Sequence, residues 1–353
     1  MNLIPFLHQH ALRRSTFRCG PNLNDIRIRK DTFLVFVATI IGVLVSFIPW
    51  PDIVASLSGE PMWDRAVYIA KIQSANTGVD YINYGNFISL FTHEVLWAKL
   101  LEFASQSSWL HYSTLFQVIS ALSLSAFFAL LAQRRHFLLL PLLINPLVID
   151  LVFSQLRLAL ALSILIWLII LRVRAWYIVW PTAVVTIMIH TAMVIFVAAH
   201  ICASVTKKDG PFRNWNDARR VTLLLLFGIS VGVAIGPLRE VLLSLIGDRR
   251  AVYPHMSSSY LYLSYWLILF GALVIDYRRT IKKYESRYAL AILGIIAVST
   301  FTGGYTTRLI GAAFPFMVAG IFNVFGRHNF FISIPFLIYF VLQWLYYINN
   351  MVS

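Results

Sequence analysis

The sequence predicts an all-α fold: a polytopic integral membrane helical bundle with about 10–11 membrane segments and one long periplasmic loop. Of the 353 residues, 59% are hydrophobic and only 12% are charged. A soluble domain usually carries roughly 25% charged residues. This chain lacks the polar residues to cover a soluble surface, so we expect its apolar surface to face lipid and treat 1–353 as a single membrane domain.

The composition also excludes other classes of protein. A disordered chain has low hydrophobicity, which is not the case here. Disulfide bonds are not expected to hold the fold, because Cys19 and Cys202 are the only cysteines and both are predicted to lie at or near the cytoplasm. The net charge of +14 could suit a nucleic acid. Cytoplasmic loops rich in Lys and Arg explain it better, so we expect membrane lipids and no nucleic acid as partners.

The predicted elements begin with a basic segment, residues 1–31, which we place in the cytoplasm. Apolar runs that could cross roughly 30 Å of hydrocarbon follow it. In chain order they are 32–49, 110–132, 137–153, 156–171, 176–203, 221–246, 258–276, 288–303, 308–325 and 330–348.

The one long loop, residues 50–109, is predicted to be periplasmic. Acidic residues outnumber basic ones in it, and it is rich in Tyr, Trp and Asn, which suits sugar binding or ordered packing better than disorder. The stretch from Phe87 to Phe103 is amphipathic, so we expect a helix that lies on the membrane surface.

Segment 176–203 is long enough for one tilted helix or for a hairpin of two short helices that meet near His190. With the hairpin, 21 of the 29 Lys and Arg residues lie on the cytoplasmic side; with a single span, only 14 do. The bias of basic residues toward the cytoplasm therefore favours the hairpin, with the N-terminus inside. Short broken helices of this kind are tolerated where protein surrounds them.

Arginines at the outer ends of apolar runs are the first candidates for a functional site, because a charge in the bilayer is costly. Arg157 and Arg308 each stand where an outer loop enters a helix, and Arg249 and Arg250 fill a short outer loop. A planar guanidinium binds phosphate through two N–H groups, which predicts an anion site near the membrane boundary. The alternatives are side chains that extend to the lipid headgroups and a solvated turn.

His190 interrupts the apolar run Thr186–Ile195 and is the second kind of candidate. A neutral imidazole there could act as a general base toward a sugar hydroxyl. The alternative is a buried histidine whose hydrogen bonds a neighbour satisfies.

Motifs that would indicate other chemistry are missing from the sequence. It contains no Walker A motif, no dinucleotide fingerprint, no Gly-x-Ser-x-Gly elbow and no His-Glu-x-x-His zinc helix. The nine histidines show no metal-ligand spacing. We therefore expect no cofactor and no metal.

Five short motifs in order resemble a known family. They are Asp80-Tyr81-Ile-Asn-Tyr84-Gly-Asn-Phe, Glu94 before a helix rich in Leu and Trp, Gln155-Leu-Arg157-Leu-Ala-Leu-Ala, Ile189-His190-Thr-Ala-Met and Tyr305-Thr-Thr-Arg308. Their order and rough spacing over residues 30–330 resemble the EpsG-like family of polysaccharide polymerases, a branch of the Wzy-type O-antigen and exopolysaccharide polymerases.

The resemblance implies a metal-independent membrane glycosyltransferase of the bacterial inner membrane. It would join oligosaccharide repeat units carried on undecaprenyl pyrophosphate into O-antigen, capsule or exopolysaccharide at the periplasmic face. A chain-length regulator would be a further partner. For this chemistry, Arg157 and Arg308 are candidates to bind pyrophosphate, with Arg249 and Arg250 as helpers. The candidate bases are His190, Asp80 and Glu94. The candidates to stack on sugar rings are Tyr81, Tyr84, Trp97 and Tyr253. For any single aromatic residue, anchoring at the membrane interface is the alternative.

Three other functions remain open from the sequence. A flippase for the same lipid-linked units would also need a basic cavity, and such folds often carry discontinuous helices in matching positions. A membrane O-acyltransferase of surface glycans tends to place a histidine near the cytoplasmic end of a span, where His136 and His328 stand. A structural membrane subunit would not need charges inside its helices.

Overall fold

The computed structural model describes residues 30–74, 76–82, 86–134, 136–173, 175–245, 260–302, 306–325 and 330–352. All the regular secondary structure of these residues is helical and includes no strand, as the sequence predicts. The first half of the chain forms α1 (Lys30–Ser46), α2 (Trp50–Ser58), α3 (Trp63–Gln73), α4 (Phe87–Thr92), α5 (Val95–Gln106), α6 (Tyr112–Gln133), α7 (Pro146–Phe153) and α8 (Leu156–Ile170).

The second half forms α9 (Trp176–Ile189), α10 (Met193–Val205), α11 (Asp217–Ile235), α12 (Arg239–Leu245), α13 (Tyr260–Ile275), α14 (Tyr277–Thr280), α15 (Tyr284–Thr302), α16 (Thr306–Phe325) and α17 (Phe330–Val352). Two short 3-10 helices, Val79–Tyr81 and Phe137–Leu143, complete the described secondary structure.

Several of these helices are long and apolar enough to cross a membrane, which indicates a multi-pass membrane protein. Among the described residues, three helices meet this test outright: Tyr112–Gln133, Asp217–Ile235 and Thr307–Phe325. Two bent pairs, α1 with α2 and α7 with α8, raise the number to five if each pair is one span, and four shorter apolar helices accompany them. The total of 10–11 segments remains a prediction.

The predicted run 137–153 is not a continuous helix. Pro141 lies in a 3-10 turn, and α7 begins only after it. The Asn145 side chain accepts a hydrogen bond from the backbone N–H of Leu147 at 2.9 Å, and Pro146 occupies the first helical turn, which together start a new helix. After Ser154 the chain turns by 100° into α8. We call the junction of α7 and α8 the elbow.

The predicted loop 50–109 is ordered into helices in its described part. The amphipathic stretch from Phe87 to Phe103 is divided between α4 and α5, with the break at His93 and Glu94. One face of α5, including Trp97 and Leu101, is buried against the rest of the protein. Apolar burial, and not exposure on a surface, therefore determines the position of α5.

The break predicted near His190 is confirmed. α9 ends at Ile189, the backbone of the next residue, His190, is extended (φ −151°, ψ 118°), and α10 begins at Met193. The two helices have 14 and 13 residues, which is short for a full span. Their arrangement as a hairpin that returns to the cytoplasm stays a prediction.

The centre of the bundle contains α6, α8, α15 and α16, whose side chains are buried on nearly every side. Small residues allow close approach, and Gly228 of α11 lies directly against the backbone of Gly294 of α15. The outer helices instead present large exposed apolar side chains, such as Phe36, Leu44, Trp180, Ile338 and Leu342. An apolar exterior of this kind suits a lipid environment.

Candidate functional site

Glu94 is the residue around which the site is built. It stands at the N-terminus of α5 with a backbone φ of 53°, which few residues other than glycine adopt. This left-handed conformation separates α4 from α5, and only 5% of Glu94 is exposed. Strained backbone conformations cluster at functional sites, so this one supports a role beyond packing.

The Glu94 carboxylate holds together two of the sequence candidates. Oε2 accepts a hydrogen bond from Arg157 Nη1, and Oε1 contacts His190 Nδ1. Thr191 adds two donors to Oε1, its backbone N–H at 3.2 Å and its hydroxyl at 3.1 Å. A buried carboxylate requires such partners, because leaving its charge unpaired would cost several kcal/mol.

Arg157 stands in the first turn of α8, directly after the elbow. Its Nε donates a hydrogen bond to the Tyr68 hydroxyl at 2.8 Å, and its guanidinium lies over the Tyr68 ring, 5.5 Å from the centroid. The guanidinium is thus hydrogen-bonded to both Glu94 and Tyr68. About a quarter of the Arg157 side chain, 23%, stays exposed.

Tyr68 is itself held in place by Trp97, whose ring packs edge-on against it with the centroids 5.0 Å apart. Burial raises the pKa of the Tyr68 phenol to about 12. The phenol is therefore neutral at physiological pH, and it accepts the hydrogen bond from Arg157 while keeping its own proton.

His190 is 13% exposed at its side chain and terminates α9. The contact with the Glu94 carboxylate favours the tautomer with hydrogen on Nδ1, which places the lone pair on Nε2. An imidazole whose orientation is set by a neighbouring carboxylate is a common arrangement for a general base. The arrangement could accept a proton at Nε2.

Arg308 lies in the first turn of α16 and pairs with Asp64 at 3.3 Å. Asp64 and Tyr68 are four residues apart on α3, so they share one face of that helix. That face therefore contacts both predicted pyrophosphate ligands, Arg157 through Tyr68 and Arg308 through Asp64. Arg308 is more open, with 43% of its side chain exposed.

A cavity of about 300 Å³ opens between the elbow, the start of α16 and α17, and Arg308 lies at its wall. Asp150, which the sequence analysis passed over, also lines it and accepts a hydrogen bond from Gln155 Nε2 at 2.7 Å. A carboxylate inside the apolar run 137–153 was the available signal. Asp64 and Tyr68 offered no comparable signal, because their pairing depends on α3 being a helix.

The other sequence candidates lie in different surroundings. Trp97 is only 4% exposed, so its ring supports Tyr68 and has no open face for a sugar. Asp80 is exposed on the turn Val79–Tyr81, and no contact of its side chain joins it to Glu94 in the described part of the chain. Tyr81 has its backbone in that turn. The side chain of Tyr81, and all of Tyr84, Arg249, Arg250 and Tyr253, lie outside the described residues.

Within the ranges that the structure describes, no group of three or more His, Cys, Asp or Glu side chains is arranged to hold a metal ion. Comparison with protein-family models gives no match, and comparisons with curated proteins and with solved structures give none either.

Proposed function

We propose that the chain is a membrane glycosyltransferase that joins oligosaccharide repeat units, carried on undecaprenyl pyrophosphate, into O-antigen, capsule or exopolysaccharide. One observation carries the proposal: the Glu94 carboxylate links an arginine suited to pyrophosphate, Arg157, with a histidine suited to general base catalysis, His190. These three residues belong to three of the motifs that resemble the EpsG-like polymerases, and they come from distant parts of the chain.

The reaction needs two kinds of group. A hydroxyl of the incoming unit attacks the anomeric carbon of the growing chain, and the bond from that carbon to the pyrophosphate oxygen breaks. The bonding electrons leave with the pyrophosphate, whose negative charge Arg157 and Arg308 stabilise. The hydroxyl proton passes to His190 Nε2.

Glu94 then acts as the positioning residue for both. Its two oxygens are engaged by Arg157 on one side and by His190 with Thr191 on the other, so it is poorly placed to accept a further proton. It orients the imidazole and stabilises the imidazolium that forms when His190 takes the proton. Among the three candidate bases, we therefore assign the role to His190.

The location follows from the charge count of the sequence. With 21 of 29 basic residues on the cytoplasmic side, Arg157, Arg308 and the loop 50–109 lie on the periplasmic side of the inner membrane. A site there meets lipid-linked units after they have crossed the membrane. A regulator of chain length would be a further partner of such an enzyme.

A flippase for the same units is the second candidate, and the elbow favours it. Discontinuous helices near a binding site are typical of transporters, and the chain has such a break at the elbow (100°), as well as the break at His190. The carboxylate, imidazole and arginine cluster favours the glycosyltransferase, because substrate transfer across the membrane needs no base.

The test is genetic. The gene is deleted and complemented with the wild type, Arg157→Ala, His190→Ala or a control, Lys99→Ala, and surface polysaccharide is separated on a gel. Lys99 is an exposed basic residue of the same region, paired with Glu102 at 2.7 Å on the surface of α5. Immunoblots of the membrane fraction confirm equal amounts of each variant.

If the chain is a polymerase, Arg157→Ala and His190→Ala should give single repeat units without a ladder. Lys99→Ala should give a normal ladder. Complete loss of repeat units would indicate a flippase, and a ladder of normal length in the deletion strain would overturn the proposal. A ladder restored by both site variants would overturn the assignment of the site.

A further inference from the structure

The cavity at the elbow has a lining unlike that of the Glu94 cluster. Its polar groups come from three elements: Asp150 and Gln155 at the elbow, Thr307 and Arg308 of α16, and Gln343, Tyr346 and Tyr347 of α17. Its volume of about 300 Å³ is at the small end of the range for ligand pockets, roughly 300–1,000 Å³. A single sugar residue is a ligand of suitable size.

Hydrogen bonds within the protein hold several polar side chains of the lining in position. Gln155 Nε2 donates to Asp150 Oδ2 at 2.7 Å, and the buried Gln343 carbonyl accepts a hydrogen bond from Asn145. The Tyr347 hydroxyl is buried and has no hydrogen-bond partner among the described residues. Buried hydroxyls are normally paired, so this one is available to a group that enters the cavity.

Hydrogen-bonding groups outnumber cations in the described lining. Arg308 is the one cation among these residues, and Asp64 pairs with it at 3.3 Å on the side of α3. A neutral ligand with several hydroxyls would donate to the Asp150 carboxyl and to the Gln155 carbonyl while accepting from Tyr347.

We infer that the elbow cavity is a sugar subsite, in which Asp150, Gln155 and Tyr347 bind hydroxyls of one sugar residue of the acceptor unit. That the sugar belongs to an acceptor unit rests on the proposed function, because only a transferase has an acceptor. Gln155 stands two residues before Arg157 in the chain, and Asp64 stands one helical turn before Tyr68. A sugar held here lies beside the arginines proposed to bind pyrophosphate.

Cysteine protection in the purified full-length protein tests the subsite directly. In a background with Cys19→Ser and Cys202→Ala, Thr307→Cys reports on the cavity and Ser74→Cys, at an exposed position after α3, is the control. The rate of maleimide labelling is measured with two probes at high concentration. One probe is the monosaccharide mixture from acid hydrolysis of the host's surface polysaccharide, and the other is inorganic pyrophosphate.

Pyrophosphate bound by Arg308 would also shield the neighbouring position 307, so its effect is measured separately. We expect the sugars to slow labelling of Thr307→Cys severalfold while Ser74→Cys is unaffected. Asp150→Asn should abolish this protection. If that variant does not accumulate, Tyr347→Phe, which removes only the unpaired hydroxyl, is expected to weaken it. Protection by pyrophosphate alone, protection by neither probe, or full protection in an Asp150→Asn protein would each overturn the inference.

The labelling assay is independent of polymerisation. Sugar protection together with a normal ladder in the deletion strain would refute the proposed function and leave the subsite standing. A lost ladder in Arg157→Ala without sugar protection would refute the subsite and leave the proposed function standing.

Discussion

Glu94 and His190 lie 96 residues apart in the chain, yet the carboxylate of one contacts Nδ1 of the other. Each residue stands at an interruption of a helix, Glu94 between α4 and α5 and His190 between α9 and α10. Interruptions of membrane helices are tolerated where the backbone is surrounded by protein or lines a cavity. Two interruptions whose polar side chains contact each other indicate that the breaks serve the site.

The first prediction concerns the pair itself. Glu94→Gln keeps the volume but removes the charge that sets the tautomer of His190, and we expect polymer synthesis to fall by roughly 100- to 10,000-fold, the range for a lost general base. His190→Gln should fall as far, and the double variant should be no worse than either, because the two residues act as one unit. Incorporation of labelled sugar into long polymer in isolated membranes measures the rates. Additive losses in the double variant would show that the residues act separately.

The second prediction separates the charge of Arg157 from its shape. Lys at this position keeps the charge but cannot donate to Glu94 and Tyr68 at once while presenting a further edge to a ligand. We expect Arg157→Lys to lose roughly 100- to 1,000-fold in polymer synthesis, as for a lost transition-state donor. Tyr68→Phe, which removes only the acceptor of Arg157 Nε, should lose much less. Near-normal activity of Arg157→Lys would mean that a point charge is sufficient at this position.

The third prediction follows from the pKa of Tyr68, which burial raises from about 10 in the unfolded chain to about 12. Below pH 10 the phenol is protonated in both states, so it contributes no pH dependence. Between about pH 10 and pH 12 the unfolded state loses its proton first, so the free energy of unfolding falls as pH rises, by at most roughly 3 kcal/mol.

Thermal unfolding of the purified protein in detergent over this pH range checks the sign. Other tyrosines and lysines titrate in the same window, so the informative quantity is the difference between wild type and Tyr68→Phe. That difference should shrink as pH rises toward 12. A constant difference would show that the phenol is not protected from ionisation in the folded protein.

The sequence was sufficient for the class of fold and for part of the site. Charges inside apolar runs identified Arg157 and His190, and the structure brings both to Glu94, a member of the motif set. The physical reason is the high cost of charge in lipid, which makes such residues conspicuous. The break at His190 was also predictable, because the length and charge balance of 176–203 fit one continuous helix poorly.

Pairings between distant elements were not predictable. The contacts of Tyr68 with Arg157 and of Asp64 with Arg308 require α3 to be helical and to lie against the starts of α8 and α16, and nothing local specifies that packing. The elbow carried a local signal in Asn145 and Pro146, a typical helix start. The apolar run 137–153 is long enough to be taken for a single span, because hydropathy alone does not detect helix breaks.

The fourth prediction concerns a second buried ion pair, away from the proposed site. Glu285 is 3% exposed and lies 2.7 Å from Arg134 Nε, with Asn323 Nδ2 at 3.5 Å. Glu285→Ala leaves Arg134 without this partner, and because 27% of the Arg134 side chain is exposed, we expect the free energy of unfolding to fall by roughly 1–3 kcal/mol, less than for a fully buried charge. The surface pair of Glu102 and Lys99 is the control, and Glu102→Ala should cost roughly 0–1 kcal/mol. Equal thermal stabilities of the two variants in detergent would contradict the prediction.

The fifth prediction uses the asymmetric contact of Gly228 and Gly294. A Cβ added at Gly228 would lie 2.9 Å from the Gly294 backbone, which would force α11 and α15 apart. A Cβ added at Gly294 would lie 3.4 Å from Gly228 Cα and 3.8 Å from the Phe270 ring, which are ordinary contact distances. We expect Gly228→Ala to destabilise the bundle by roughly 1–3 kcal/mol, as overpacking does. Gly294→Ala should be neutral, because the added methyl fits. Melting temperatures of both variants in the same detergent decide the matter, and a larger loss for Gly294→Ala would mean that the two helices pack in another register.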